Sequence, residues 1–236
     1  ENLQKTESGR TASIRATVRW EDCGRPDREV FFETEKRFAA DLSDHIQPFL
    51  IGCLVPALFL GERRIAVDGS ICPYLLEGLE TAMALMRLWS GGTMKPLAIE
   101  PAGGDPPPTA ETPRAGLFLS GGVDSLAALR LAVLRYGPEH PARPRDALLI
   151  HGFDIGGVVE RGAKYPVFER AKAAMAPVAA DAGLAMIPVY TNIRHLCDDR
   201  DLWLNFFFGS VLAAAAHARS EEHTSELESL LIISYA

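Results

Sequence analysis

The chain has 236 residues, of which 47% are apolar and 23% are charged, and its formal net charge is −7. This length allows one large domain or two small ones with a hydrophobic core. The acidic balance, without a basic stripe, argues against a nucleic-acid-binding surface. The most apolar run, residues 48–60, is too short to span a bilayer and is interrupted by Gly52 and Pro56, so it predicts a buried helix rather than a membrane anchor.

The cysteines are scattered and form no Cys-x-x-Cys pair, which argues against a zinc site and against a disulfide framework. The positions concerned are Cys23, Cys53, Cys72 and Cys197. No signal peptide is visible at the start of the chain. We therefore expect a cytoplasmic protein in a reducing compartment.

The first hundred residues predict a small α+β region. Residues 1–9 are polar and are expected to be loose. Alternating apolar and polar residues predict a hairpin, and two longer apolar patterns predict helices. The predicted elements are strands over 11–20 and 29–34, a helix over about 45–60, a strand over 63–67, a helix over 71–89 and a strand over 97–99. No motif in residues 1–100 indicates chemistry.

Residues 101–114 are rich in proline and glycine, a composition typical of a linker, and predict a domain boundary. Strands and helices alternate after this segment. The predicted order is a strand over 116–119, a helix from Val123, a strand over 146–151, a helix over 167–182, a strand over 185–190 and a helix over 202–218. This alternation predicts an α/β fold with a doubly wound parallel sheet over residues 115–218.

Ligands in such sheets bind at the carboxyl ends of the strands. Three of these ends are expected to converge, at residues 120–125, 151–154 and 191–194. The first is the most informative, because a strand, a glycine turn and a helix follow one another there. That order brings free backbone N–H groups and the positive end of a helix dipole together, which predicts a phosphate site.

Residues 120–125 read Ser-Gly-Gly-Val-Asp-Ser. This loop is not a Walker A loop, because no Gly-Lys-Ser/Thr follows, and it lacks the spacing of a dinucleotide fingerprint. It resembles the SGGxDS loop of the N-type ATP pyrophosphatases, the PP-loop family. The segments at 150–155 and 191–194 resemble members near the asparagine-synthetase and 7-cyano-7-deazaguanine-synthase branches. The alternative is an ordinary glycine-rich turn.

The resemblance covers residues 115–218 and implies a Rossmann-like PP-loop domain with ATP and Mg²⁺ as cofactors. It implies an AMP-forming ligase that adenylates a carboxylate, amide or carbonyl of an unidentified small-molecule or peptide acceptor and releases pyrophosphate. It also implies that the pyrophosphate is held by Ser120, Gly121, Gly122, Val123 and Ser125. Asp124 would be catalytic by binding magnesium or ordering the loop; the alternative is a carboxylate that interacts only with the helix dipole.

The same resemblance places Gly152 and Phe153 against adenine. His151 is a candidate general acid or base, with a structural role as the alternative. Asp154 is a candidate for a second magnesium ion or a ribose hydroxyl. Arg194 is a candidate for neutralising a phosphate or a substrate carboxylate, with a surface salt bridge as the alternative.

Many members of the family carry a late lysine or arginine that stabilises the transition state, and no counterpart is found here. A nucleotide-binding module without turnover is therefore an alternative function.

Residues 219–236 resemble the conceptual translation of a sequencing adapter, with a natural acidic helix as the alternative. We expect a non-native tail and a PP-loop domain truncated at its C-terminus, so that an inactive fragment is a further alternative. A homo-oligomer is compatible with the sequence.

Overall fold

The computed structural model describes residues 1–103, 115–153 and 165–219. Its elements before the proline-rich segment are β1 (Gln4–Ser8), β2 (Thr11–Val18), β3 (Arg28–Glu35), a 3₁₀ turn (Lys36–Asp41), α1 (Gln47–Leu60), β4 (Arg64–Val67), α2 (Pro73–Trp89) and β5 (Ala98–Pro101). After it come β6 (Gly116–Phe118), α3 (Val123–Arg135), β7 (Asp146–His151), α4 (Tyr165–Asp181), β8 (Ala185–Thr191), a 3₁₀ turn (Ile193–Leu196), α5 (Arg200–Leu202), a π-helical turn (Trp203–Phe207) and α6 (Phe208–His217).

The fold is mixed α/β, which confirms the predicted class. Its main sheet has six strands in the order β1-β2-β3-β8-β7-β6. β6, β7 and β8 are parallel, but β3 joins β8 in the antiparallel direction and continues into β2 and β1. The sheet is therefore mixed rather than wholly parallel, because the N-terminal hairpin extends the edge of β8. β4 and β5 form a separate parallel pair.

The expectation that residues 1–9 are loose is wrong, because β1 lies there and pairs with β2. All five residues of this strand are exposed, since it lies at the edge of the sheet and neither of its faces is covered. A strand of this kind has no apolar alternation, so its sequence carries no periodic signal.

Helices cover both faces of the sheet. Along β7, Leu148 and Ile150 join the core that α1 and α6 build, and Ala147 packs on the opposite face with α3 and α4. The predicted buried helix is confirmed as α1, which is apolar around its whole circumference and buried from Gln47 to Leu58. Within the described ranges, no helix is both long and apolar enough for a membrane crossing.

The helix predicted over 202–218 is interrupted. The chain runs through α5, the π-helical turn and α6, and Trp203 and Phe207 of the turn are buried in the core. π-turns are uncommon and occur often near functional sites. Here the turn lies at the carboxyl edge of the parallel strands, where Trp203 contacts residues that follow β7 and β8.

Candidate functional site

The loop between β6 and α3 is the first part of the candidate site. Leu119 is buried and its N–H donates to the Leu148 carbonyl at 2.8 Å, which holds the start of the loop beside β7. Gly121 has φ +84°, a left-handed conformation that favours glycine. A Cβ at Gly121 would lie 3.1 Å from the sulfur of Met175 on α4, so a side chain there would be both strained and crowded.

Two serine hydroxyls close this loop. The Ser125 hydroxyl donates to the Gly122 carbonyl at 2.9 Å, and the Gly122 N–H donates to the Ser120 oxygen at 3.3 Å. The Ser120 hydroxyl also donates to the Ser125 oxygen at 3.3 Å. The structure therefore brings together both hydroxyls that were predicted to bind phosphate. Their hydrogen bonds are either 3.3 Å long or made within the loop itself, so each hydroxyl can rotate toward a ligand.

The start of α3 presents backbone N–H groups to solvent. The first bond of the helix runs from the Leu126 N–H to the Gly122 carbonyl at 3.1 Å, and Gly122 provides no side-chain cap. The N–H groups of Val123, Asp124 and Ser125 therefore have no acceptor within the helix. Gly122, Val123 and Asp124 are exposed, with Val123 at 78%. Unpaired amides at an exposed helix start are the groups that bind anions.

Asp124 lies in the first turn of α3 and is exposed. The residues that the structure describes contain no group of three or more His, Cys, Asp or Glu side chains that could hold a metal ion. Asp154, the other predicted magnesium ligand, lies outside the described residues. Asp124 is therefore the one predicted magnesium ligand whose position the structure describes.

The end of β7 forms the second part of the site. His151 is only 5% exposed and lies among aromatic rings, with ring centroids 5.1 Å from Phe168 and 5.6 Å from Tyr190. Gly152 has φ +105°, and a Cβ there would lie 2.2 Å from the Thr191 carbonyl oxygen. The ends of β7 and β8 are thus packed so closely that only glycine fits at this position.

Arg194 connects the ends of the same two strands. One of its guanidinium nitrogens donates to the Phe153 carbonyl at 2.6 Å, and the guanidinium carbon lies 4.3 Å from the centroid of the Trp203 ring. Phe153 is buried against Trp203 and Phe208. The structure therefore brings together Arg194 and Phe153, two of the residues predicted from the sequence, in an aromatic cluster at the strand ends.

A polar cluster between α4 and strands β3 and β8 was not predicted from the sequence. The Tyr190 hydroxyl donates to Glu169 at 3.1 Å, and Lys172 contacts Glu169 at 2.9 Å and Glu35 at 3.4 Å. Burial, followed by the negative charge of Glu169, raises the pKa of Tyr190 far above its ordinary value, so this hydroxyl stays protonated. The Glu169–Lys172 spacing of three residues on a helix is the one signal that could have indicated the pair.

Comparison of the chain with protein-family models, curated proteins and solved structures found no match.

Proposed function

We propose that the protein binds the phosphates of ATP at residues 120–125 and is an AMP-forming ligase of the PP-loop type. Such an enzyme transfers AMP to a carboxylate, amide or carbonyl oxygen of an acceptor, a small molecule or a peptide, and releases pyrophosphate. The observation that carries the proposal is the exposed start of α3, where the N–H groups of Val123, Asp124 and Ser125 lie beside two serine hydroxyls.

The residues present fit a phosphate chain. Gly121 adopts its left-handed conformation without strain, and Gly122 has no Cβ that would keep an oxygen atom away from the amides. Ser120 and Ser125 supply hydroxyl donors, and the dipole of α3 favours negative charge at this end. Asp124 would hold magnesium, which would neutralise part of the phosphate charge.

The surrounding fold supports the same proposal. Three parallel strands with helices on both faces are compatible with a doubly wound domain, in which ligands bind at the carboxyl ends of the strands. Residues 120–125, 151–153 and 191–194 all lie at such ends. The four cysteines are free thiols, which supports a reducing cytoplasmic compartment.

One observation favours a second candidate, a nucleotide-binding module without turnover. Arg194 donates to a backbone carbonyl and stacks on Trp203, and His151 is enclosed by aromatic rings. Two of the three predicted catalytic side chains therefore have structural contacts. In this candidate the loop at 120–125 binds the nucleotide, and no residue activates the acceptor.

The test measures ATP binding by calorimetry in the presence of Mg²⁺, together with pyrophosphate release over a panel of acceptors. Ser120→Ala and Asp124→Asn should each weaken ATP binding about tenfold, because each removes a contact to a charged group. Ser8→Ala and Asp68→Asn, at exposed positions elsewhere, are the matched controls. Equal ATP binding by all four variants contradicts the site, and binding without any AMP formation favours the second candidate.

A further inference from the structure

A cavity of about 220 Å³ lies between the turn that precedes β3 and the 3₁₀ turn that follows β8, and it contains two arginines. It is lined by Trp20, Arg25, Pro26, Arg28 and Leu196. A guanidinium nitrogen of Arg25 donates to the Leu196 carbonyl at 2.9 Å, and one of Arg28 donates to the carbonyl of His195. Because these two carbonyls belong to consecutive residues, the two guanidinium groups are held near each other.

The two positive charges are not neutralised within the cavity. Asp27 and Glu29 flank Arg28 in sequence, but Asp27 pairs with Arg19 at 3.2 Å and Glu29 pairs with Arg15 at 2.7 Å. Asp198 pairs with His195 at 2.8 Å. Neither Arg25 nor Arg28 forms an ion pair with any other residue in the described ranges. Two like charges at short range repel each other, and a bound anion removes this repulsion.

The cavity lies at the same edge of the sheet as the ATP loop. Residues 193–196 follow the carboxyl end of β8, and Arg28 begins β3, in which Phe32 pairs with Thr191. Arg28 therefore lies beyond the end of β8. β6 and β3 are separated by β7 and β8, so the two sites are roughly 14 Å apart along the sheet at the usual strand spacing.

The lining indicates the chemistry of the ligand. Guanidinium groups bind carboxylates through paired hydrogen bonds, and each arginine keeps donors that its carbonyl bond does not use. Trp20 adds a flat apolar wall. The volume is below the roughly 300–1,000 Å³ of sites for drug-sized ligands, so the ligand is compact.

We propose that this cavity binds the carboxylate of a small acid with a flat apolar body. Binding of the acid does not depend on the proposed function, because neither arginine belongs to the ATP loop.

Benzoate is a suitable probe, with benzamide as its uncharged analogue and inorganic phosphate as a competing anion. In calorimetry with the full chain, benzoate should bind, and Arg25→Gln and Arg28→Gln should each weaken it at least about tenfold, since each removes a charged donor. Arg87→Gln, an exposed arginine on α2, makes the same charge change as a control and should have no effect. Trp20→Leu should weaken benzoate binding as well.

Thermal unfolding of each variant checks that it is folded, and Arg25→Lys, which keeps the charge, should retain more benzoate binding than Arg25→Gln. The proposal would be overturned if benzamide bound as tightly as benzoate, or if phosphate bound more tightly than benzoate. It would also be overturned if neither Arg25→Gln nor Arg28→Gln changed benzoate binding. Ser120→Ala should weaken ATP binding and leave benzoate binding unchanged. Arg25→Gln should weaken benzoate binding and leave ATP binding unchanged. Benzoate binding by a protein that does not bind ATP would uphold the cavity and refute only the proposed function.

Discussion

At the scale of single residues, Glu62 shows how backbone N–H groups stabilise a buried carboxylate. Its side chain is 7% exposed, and its two oxygens accept N–H groups from the consecutive residues Glu21, Asp22 and Cys23 at 3.0–3.2 Å. A carboxylate that accepts several backbone N–H groups compensates for its own desolvation. Glu62 thereby fixes the turn that leads to the arginines of the cavity.

Glu62→Gln should lower the free energy of unfolding by about 1–3 kcal/mol, because the amide loses the charge and directs an NH₂ group at backbone donors. The measurement is urea unfolding followed by circular dichroism. Glu77→Gln, on the exposed face of α2, makes the same chemical change and should shift stability by no more than about 0.5 kcal/mol. Equal effects of the two substitutions would show that the bonds to residues 21–23 contribute nothing.

Gly152 allows the ends of β7 and β8 to approach each other closely. Its φ of +105° lies in a region that is almost restricted to glycine, and a Cβ would lie 2.2 Å from the Thr191 carbonyl oxygen. Gly152→Ala should therefore destabilise the fold by about 3 kcal/mol through strain and displacement of β8. Gly137→Ala is the control, because its Cβ would meet nothing within 4 Å. A melting temperature unchanged in Gly152→Ala would contradict this account.

At the scale of elements, α4 is attached to the sheet partly through the Glu169–Lys172 pair. Burial raises the pKa of Glu169, but the hydrogen bond and charge of Lys172 outweigh this, so that the pKa lies below its ordinary value of 4.5. A carboxyl whose pKa is lowered in the folded state stabilises the fold above its unfolded pKa. That contribution is lost as the pH falls through the folded pKa.

Lys172→Met should therefore destabilise the protein near neutral pH, and the difference from the unchanged chain should shrink as the pH is lowered below 4.5. The effect should be under about 1 kcal/mol, since the side chains of Lys172 and Glu169 are 24% and 35% exposed and water screens the pair. Unfolding free energies measured across this pH range test it. Lys36→Met, which breaks the more exposed Lys36–Glu7 pair, should show a smaller pH dependence.

The elements themselves are largely predictable from the sequence, because local periodicity encodes them. The strand predicted over 146–151 is β7 without change, and the helix predicted from Val123 is α3. β1 escaped prediction because an edge strand exposed on both faces has no alternation. The pairing of β3 with β8 was not predicted either, because pairing between strands that are distant in sequence leaves no local pattern.

Within the site, too, only the parts that are encoded locally in the chain are predictable from the sequence. Residues 120–125 form a local strand–turn–helix, and their exposed amides follow from that order alone. The cavity with Arg25 and Arg28 depends on contacts with residues 195 and 196, which are far along the chain, so no local motif indicates it. In the sequence, His151 is a polar residue at the end of a strand and suggests a site. In the structure, Phe168 of α4 packs against its ring and helps to bury it.

At the scale of the whole molecule, the parts before and after the proline-rich segment share one core. Asn192 donates to the Glu29 carbonyl at 2.8 Å and accepts the Phe31 N–H at 3.0 Å, which ties β3 to the end of β8. On one face of the sheet, the Ser210 hydroxyl of α6 donates to the Ile51 carbonyl of α1 at 2.7 Å. Neither part can therefore unfold without exposing apolar surface of the other.

We expect a single unfolding transition, because a shared core makes loss of one part costly for the other. Two single-tryptophan variants report on the two parts: one keeps Trp20, the other keeps the buried Trp203, and the remaining tryptophans become Phe. Their urea midpoints should coincide with that of circular dichroism. Gly52→Ala should lower both midpoints equally, since its Cβ would lie 2.0 Å from the Ile193 side chain between the parts. Separate midpoints would mean that the segment at 101–114 divides two independent domains.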